Sequence, residues 1–176
     1  MSHPSALAMG CRPFGGAAVN SLRIEKGFKI KSDLDYAHWS EAGVDMFIPS
    51  ARKNERAPFI GKEVPPPATR SAAIFDVATD EANAWSVPGD SPIRDAAGRV
   101  VGFTTTSAKG AITGRTIALG YVKCSAEGVP LAKAGESGLT VECMGHTWGV
   151  ELLDRPPVEV GGKPTPAESE PLAASG

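Results

Sequence analysis

The chain has 176 residues, 41% of them hydrophobic and 22% charged, a balance that can bury a sizeable core and excludes a wholly disordered or fibrous protein. Its net charge of −2 argues against a dedicated nucleic-acid binder. Its longest apolar runs, such as Ile117 to Leu119, fall far short of the roughly 20 residues of a membrane-spanning helix.

Twenty glycines, 15 prolines and an aromatic content of 6% favour many short elements joined by turns. Cys11, Cys124 and Cys143 form an odd set without a C-x-x-C pair, so neither a disulfide framework nor a zinc site is expected. The first residues, Met1-Ser-His-Pro-Ser-Ala-Leu-Ala-Met9, lack a basic segment followed by an apolar one, and a reducing, cytoplasmic setting is expected. Residues 1–70 carry ten Lys and Arg against seven Asp and Glu, and the remainder carry eight against thirteen. The basic part suits an anionic ligand or an acidic neighbour; the plainer alternative is two solvated faces of unequal composition.

In chain order, the spacing of residues 16–27 predicts a helix with Val19, Leu22 and Ile24 facing inward and Gly27 at its C-terminal cap. Residues 32–43 read as a loop anchored by Tyr36 and Trp39, and a short element from Phe59 to Glu63 is ended by Pro65-Pro66-Pro67. From Arg70 the period changes to that of strands. They are expected at 72–78, 100–107 and 116–122, with a turn at Asp95 to Gly98 and a hairpin of 139–143 with 148–153 about Met144-Gly145-His146. The predicted fold is therefore α+β: a short N-terminal helical segment followed by a C-terminal antiparallel sheet or small barrel. Three regions are expected: 1–70, a β-rich region over 71–163, and a disordered tail at 164–176.

No dinucleotide fingerprint, phosphate loop, H-E-x-x-H or G-x-S-x-G stands in the chain. His3, His38 and His146 are scattered; no catalytic residue and no metal site is expected from them. Tyr121 and Trp148 are read as barrel filling, Trp85 as a packing anchor, and Gly110 as a turn residue of positive φ, with Ser107 in the strand before it.

A series of motifs goes further. Asn20-Ser-Leu-Arg-Ile-Glu-Lys-Gly-Phe28 resembles the S-L-R-L-E-K-G-[YF] segment of the folate-binding aminomethyltransferase family, which includes the glycine-cleavage T-protein and the C-terminal half of dimethylglycine and sarcosine dehydrogenases. In the same order as in that family come Gly10-Cys-Arg-Pro-Phe-Gly15, Lys31-Ser-Asp-Leu34, Glu41-Ala-Gly43, Phe59-Ile-Gly-Lys62, Asp90-Ser-Pro-Ile93 and Gly114-Arg-Thr-Ile-Ala-Leu-Gly-Tyr-Val122. The K-S-D-L and R-P-F-G variants lean towards the demethylating flavoproteins. The short loop Asp35 to Ser40, Ala108-Lys109 and the triple proline depart from the family pattern.

The resemblance implies that residues 1–70 are the end of a central folate-binding region and that 71–163 form a C-terminal antiparallel β-barrel. It implies tetrahydrofolate as the one-carbon acceptor and FAD held only on another domain or partner. Arg23 and Glu25 are the implied folate-binding residues, with an ion pair tying helix to barrel as the alternative role; Lys31 and Asp33 are implied at the folate entrance, with plain surface solvation as their alternative. The implied partners are a flavin-dependent dehydrogenase domain or subunit and the upstream folate subdomains, neither nucleic acid nor membrane. The chain would then be a fragment, a split-gene subunit or a decayed copy, inactive alone. The alternatives are a non-catalytic assembly module docking on a flavoprotein, or part of another folate-dependent demethylase.

Overall fold

The computed structural model describes residues 4–35, 37–47, 69–79, 87–159, 161, 163 and 164. Among the described residues, six strands, β1 (Arg70–Val77), β2 (Pro92–Arg94), β3 (Val100–Lys109), β4 (Thr116–Lys123), β5 (Leu139–Cys143) and β6 (His146–Leu153), follow three short helices, α1 (Pro4–Ala8), α2 (Gly16–Glu25) and α3 (Lys31–Leu34), and a 3₁₀ turn. The strands close in the order β1-β4-β3-β2-β5-β6, every adjacent pair antiparallel. Closure leaves no free sheet edge.

Alternation along the strands divides inside from outside. Phe75, Val77, Ile93, Val101, Ala118, Val122, Leu139 and Val141 fill the barrel, with Trp148 packed against them. A second cluster lies on the outer wall, where Ile24 of α2 covers Ile117 and Leu119. β4 is buried from Thr116 through Val122 because barrel core and helix sandwich it. Gly120 permits the close approach of β3: a Cβ there would stand 2.1 Å from the Phe103 carbonyl oxygen.

The fold class is the expected one, with local corrections. β2 was not foreseen, being three residues long and beginning with proline. β6 begins at His146, which stacks on Trp148 at 5.6 Å, so the turn tightens to Met144-Gly145, both with positive φ. α2 ends as predicted: Gly27 has φ +69°, and the Phe28 and Gly27 amides donate to the Arg23 and Ile24 carbonyls. Its inward face differs, however. Ile24 is fully buried, whereas Val19 and Leu22 are 48% and 45% exposed, because the helix docks through Asn20, Ser21, Arg23, Ile24 and Glu25.

Trp39 is exposed rather than an anchor; Asp33, Glu41 and Ala42 are buried in that region instead. Tyr121 is buried on the outer wall beneath α3 and not inside the barrel, since its hydroxyl reaches the Asp33 carbonyl at 2.7 Å. The expectations for Tyr36, Phe59 to Glu63, the triple proline, Trp85 and most of the tail lie outside the described residues.

Candidate functional site

The last turn of α2 presents two oppositely charged side chains, Arg23 and Glu25, to the outer wall at β3 and β4. Each is buried, and each meets its own partners. The Glu25 carboxylate, with no exposed surface, accepts hydrogen bonds from the Thr113 amide at 2.8 Å, the Thr113 hydroxyl at 2.8 Å and the Ile112 amide at 3.1 Å. It thereby fills the concavity of the β3–β4 turn. Ser21 closes the same junction, donating to the Lys109 carbonyl at 2.7 Å and accepting from the Ala111 amide at 3.0 Å.

Gly110 belongs to this contact. Its φ is not positive, and the reason for glycine is different: a Cβ would lie 2.2 Å from Oε1 of Glu25. The positive φ of this turn is at Gly114.

Arg23 points the other way. Its Nη1 is ion-paired with Oδ2 of Asp33 and donates to the Phe28 carbonyl at 2.8 Å; its Nε donates to Oδ1 of Asn20 at 2.9 Å. Asp33 is fixed in turn by the Thr105 hydroxyl at 2.6 Å and the Ile30 amide at 3.0 Å. Arg23 and Asp33 are 8% and 2% exposed, so the pair is nearly dry and depends on these extra hydrogen bonds to offset desolvation. One donor is left over: Nη2 of Arg23 is buried without a hydrogen-bond partner among the described residues. Lys29 lies in the same field, its ammonium pKa lowered by burial and partly restored by Asp33.

The polar network continues across the wall. Burial raises the Tyr121 phenol pKa, with Arg70 opposing, and the Arg70 guanidinium lies 5.0 Å from its ring centroid. Glu41 accepts from Arg70 Nε at 3.2 Å, the Thr69 hydroxyl at 2.7 Å and the His38 amide at 3.1 Å. Burial pushes the Glu41 carboxyl up, but those hydrogen bonds outweigh it and hold the group below the usual range. A depressed carboxylate pKa contributes stability above the unfolded-state value, and that contribution is lost as pH falls through the folded one. Acidification from about pH 5 to about pH 3 is therefore expected to lower the melting temperature less steeply in Glu41→Gln than in the wild type. Equal slopes in a thermal-melt series would contradict this role.

The structure thus places both sequence-derived site residues in one helical turn but connects Arg23 to Asp33 rather than to Glu25. Lys31 is exposed and paired with Asp35 at 2.8 Å. Asp33, read from sequence only as a residue near an entrance, is the centre of the network. Its signal was a lone aspartate ten residues beyond Arg23, which local spacing cannot distinguish from a solvated one. Among the described residues no group of three His, Cys, Asp or Glu side chains is arranged to hold a metal.

A closed six-stranded antiparallel barrel, capped on its outer wall by a helix bound through buried charges, defines the class of protein. Residues 71–168 match the family described as the glycine cleavage T-protein C-terminal barrel domain, and the chain belongs to that family. Among solved structures it is similar to the glycine cleavage system aminomethyltransferase T from Bartonella henselae, with a TM-score of 0.60 and 19% identity. The similarity covers 82% of this chain but only 38% of that one; at this identity it establishes shared fold. No curated protein matches the chain.

Proposed function

We propose that the chain contributes the C-terminal part of a folate-dependent one-carbon transfer protein, in which tetrahydrofolate accepts a one-carbon unit from an N-methyl amine. The observation carrying this reading is the Nη2 donor of Arg23, without a partner among the described residues and standing in the S-L-R-I-E-K-G segment that resembles the folate-binding family. A guanidinium N–H already oriented by Asp33 and Asn20 suits a ring nitrogen, carbonyl or carboxylate oxygen of the folate. Glu25 does not fit as a ligand, because its oxygens are buried and engaged by the β3–β4 turn. Its part is to hold the helix that carries Arg23.

Membership of the dimethylglycine and sarcosine dehydrogenase branch is the finer reading, supported by the K-S-D-L and R-P-F-G variants. On it, FAD and the oxidation of the N-methyl group belong to another domain or partner, as do the upstream folate subdomains. The exposed apolar side chains Val19 and Leu22 on α2, and Phe14, Phe28 and Ile30 in the segments before and after it, support such a neighbour.

Calorimetric titration with tetrahydrofolate tests the reading. Arg23→Lys is the informative variant, because lysine keeps a cation beside Asp33 and removes the spare N–H. The wild-type chain is expected to bind saturably and Arg23→Lys to bind about tenfold more weakly, the equivalent of about 1.4 kcal/mol for one charge-assisted hydrogen bond. Equal affinities would overturn the role of Arg23, and no saturable heat from folded wild-type protein would overturn a folate site on this chain by itself.

A further inference from the structure

Leu153, the last residue of β6, packs with Ile74 against the cluster that holds Ile24 of α2, and this delivers the residues that follow to the C-terminal end of that helix. Pro157 and Val158 are buried there. The Glu159 amide donates to the Lys163 carbonyl at 2.8 Å, and Val158 pairs with Pro164 in an isolated antiparallel bridge. Residues 155–159 thus run as a strap across the helix end, fastened by contacts with the residues that follow them.

A helix leaves its last carbonyls without partners inside the helix, and α2 fills them from two sources. The cap supplies the first two, the Phe28 amide donating to the Arg23 carbonyl and the Gly27 amide to the Ile24 carbonyl, each at 2.9 Å. The strap supplies the third, the Val158 amide donating to the Glu25 carbonyl at 3.0 Å. It also confines the cap from outside: a Cβ on Gly27 would lie 2.8 Å from Cγ of Pro156 and 3.0 Å from Cδ1 of Ile74. Phe28, next in the chain, offers its carbonyl to Nη1 of Arg23 at 2.8 Å.

Strap, cap and guanidinium are therefore one connected series. Val158 and Pro156 fix the place of Gly27, Gly27 that of the Phe28 carbonyl, and the carbonyl one edge of the Arg23 side chain. Because a guanidinium is planar and rigid, its hold at Nη1 also sets the direction of Nη2. We propose that the strap aims Arg23 at its ligand, which makes Gly27, Pro156 and Val158 positioning residues of the folate site. The inference rests on the reading of Arg23 as the folate donor.

The test uses the ¹⁵N-labelled full chain and two readouts, the Arg23 guanidinium signal without ligand and the affinity for tetrahydrofolate. Val158→Pro removes the strap's donor and extends the Pro156-Pro157 run. Gly27→Ala drives a methyl against Pro156. Gly27→Ala/Pro156→Ala withdraws that obstacle but keeps the strain of alanine at positive φ, so the difference between these two isolates the strap contact. Val158→Pro and Gly27→Ala are each expected to shift the Arg23 signal in folded protein and to weaken tetrahydrofolate binding about tenfold, the equivalent of one charge-assisted hydrogen bond. The Ile112 and Thr113 amide signals should stay in place, because the Glu25 carboxylate still holds the β3–β4 turn. The double variant is expected to bring the Arg23 signal most of the way back. An unmoved Arg23 signal in Val158→Pro, the same signal in Gly27→Ala and the double variant, or a moved signal with unchanged affinity would each overturn the proposal. Should Val158→Pro not fold, the two Gly27 variants decide alone. If the wild-type chain binds no tetrahydrofolate, the folate reading fails, while the ligand-free Arg23 signals still decide whether the strap sets the guanidinium.

Discussion

Glu25→Ala is expected to remove about 3–5 kcal/mol of folding stability, enough to lower the melting temperature by about 10 °C or more in a chain of this size. The side chain is wholly buried, and its loss strands three donors of the β3–β4 turn: the Ile112 amide, the Thr113 amide and the Thr113 hydroxyl. Each had exchanged water for a charged acceptor, so each retains a desolvation penalty once that acceptor is gone. Gly110→Ala should act in the same direction from the other side, because its Cβ would collide with the same carboxylate oxygen. Urea unfolding at neutral pH reads both. A loss below about 1 kcal/mol in Glu25→Ala would mean that the turn keeps its shape unaided, and that Glu25 is not what fastens α2 to the barrel.

Asp33→Ala is the second large effect, also about 3–5 kcal/mol, because it leaves the Arg23 guanidinium buried without a counter-charge. The Thr105 hydroxyl and Ile30 amide lose their acceptor in the same step. The mechanism has a signature beyond size. Replacing both charges, in Arg23→Leu/Asp33→Leu, removes the uncompensated ion, so the double variant should cost clearly less than the sum of its two single variants. Additivity would show that the two side chains contribute independently and that the ion pair is not the unit of stability.

The barrel was legible because strands advertise themselves by alternation. Phe75 with Val77 and Leu139 with Val141 lie at spacing two, and all four are in the core. β2 escaped notice because three residues headed by proline carry no period. For α2, the apolar residues Val19 and Leu22 drew the inward face to the wrong side. The side that docks is largely polar, and it can be buried because its partners are supplied from far along the chain. Thr113 meets Glu25 across 88 positions, and Thr105 meets Asp33 across 72. A helical period marks where apolar residues recur but carries no information about which charges will find partners after folding. Arg23 and Glu25 were singled out through the resemblance of their segment to a family, and their division of labour became visible only with the turn and Asp33 in place.

The account rests on Arg23 having a donor to spare, and the side-chain resonances of arginine report on that group directly. The measurement is to follow the Arg23 guanidinium signal in ¹⁵N-labelled chain while tetrahydrofolate is added. The expected result is a saturable shift of that signal with the same dissociation constant as the calorimetric titration, because Nη2 gains an acceptor where the described residues offer none. An Arg23 signal that stays in place at saturating tetrahydrofolate would contradict it, whether the ligand binds elsewhere on the chain or not at all.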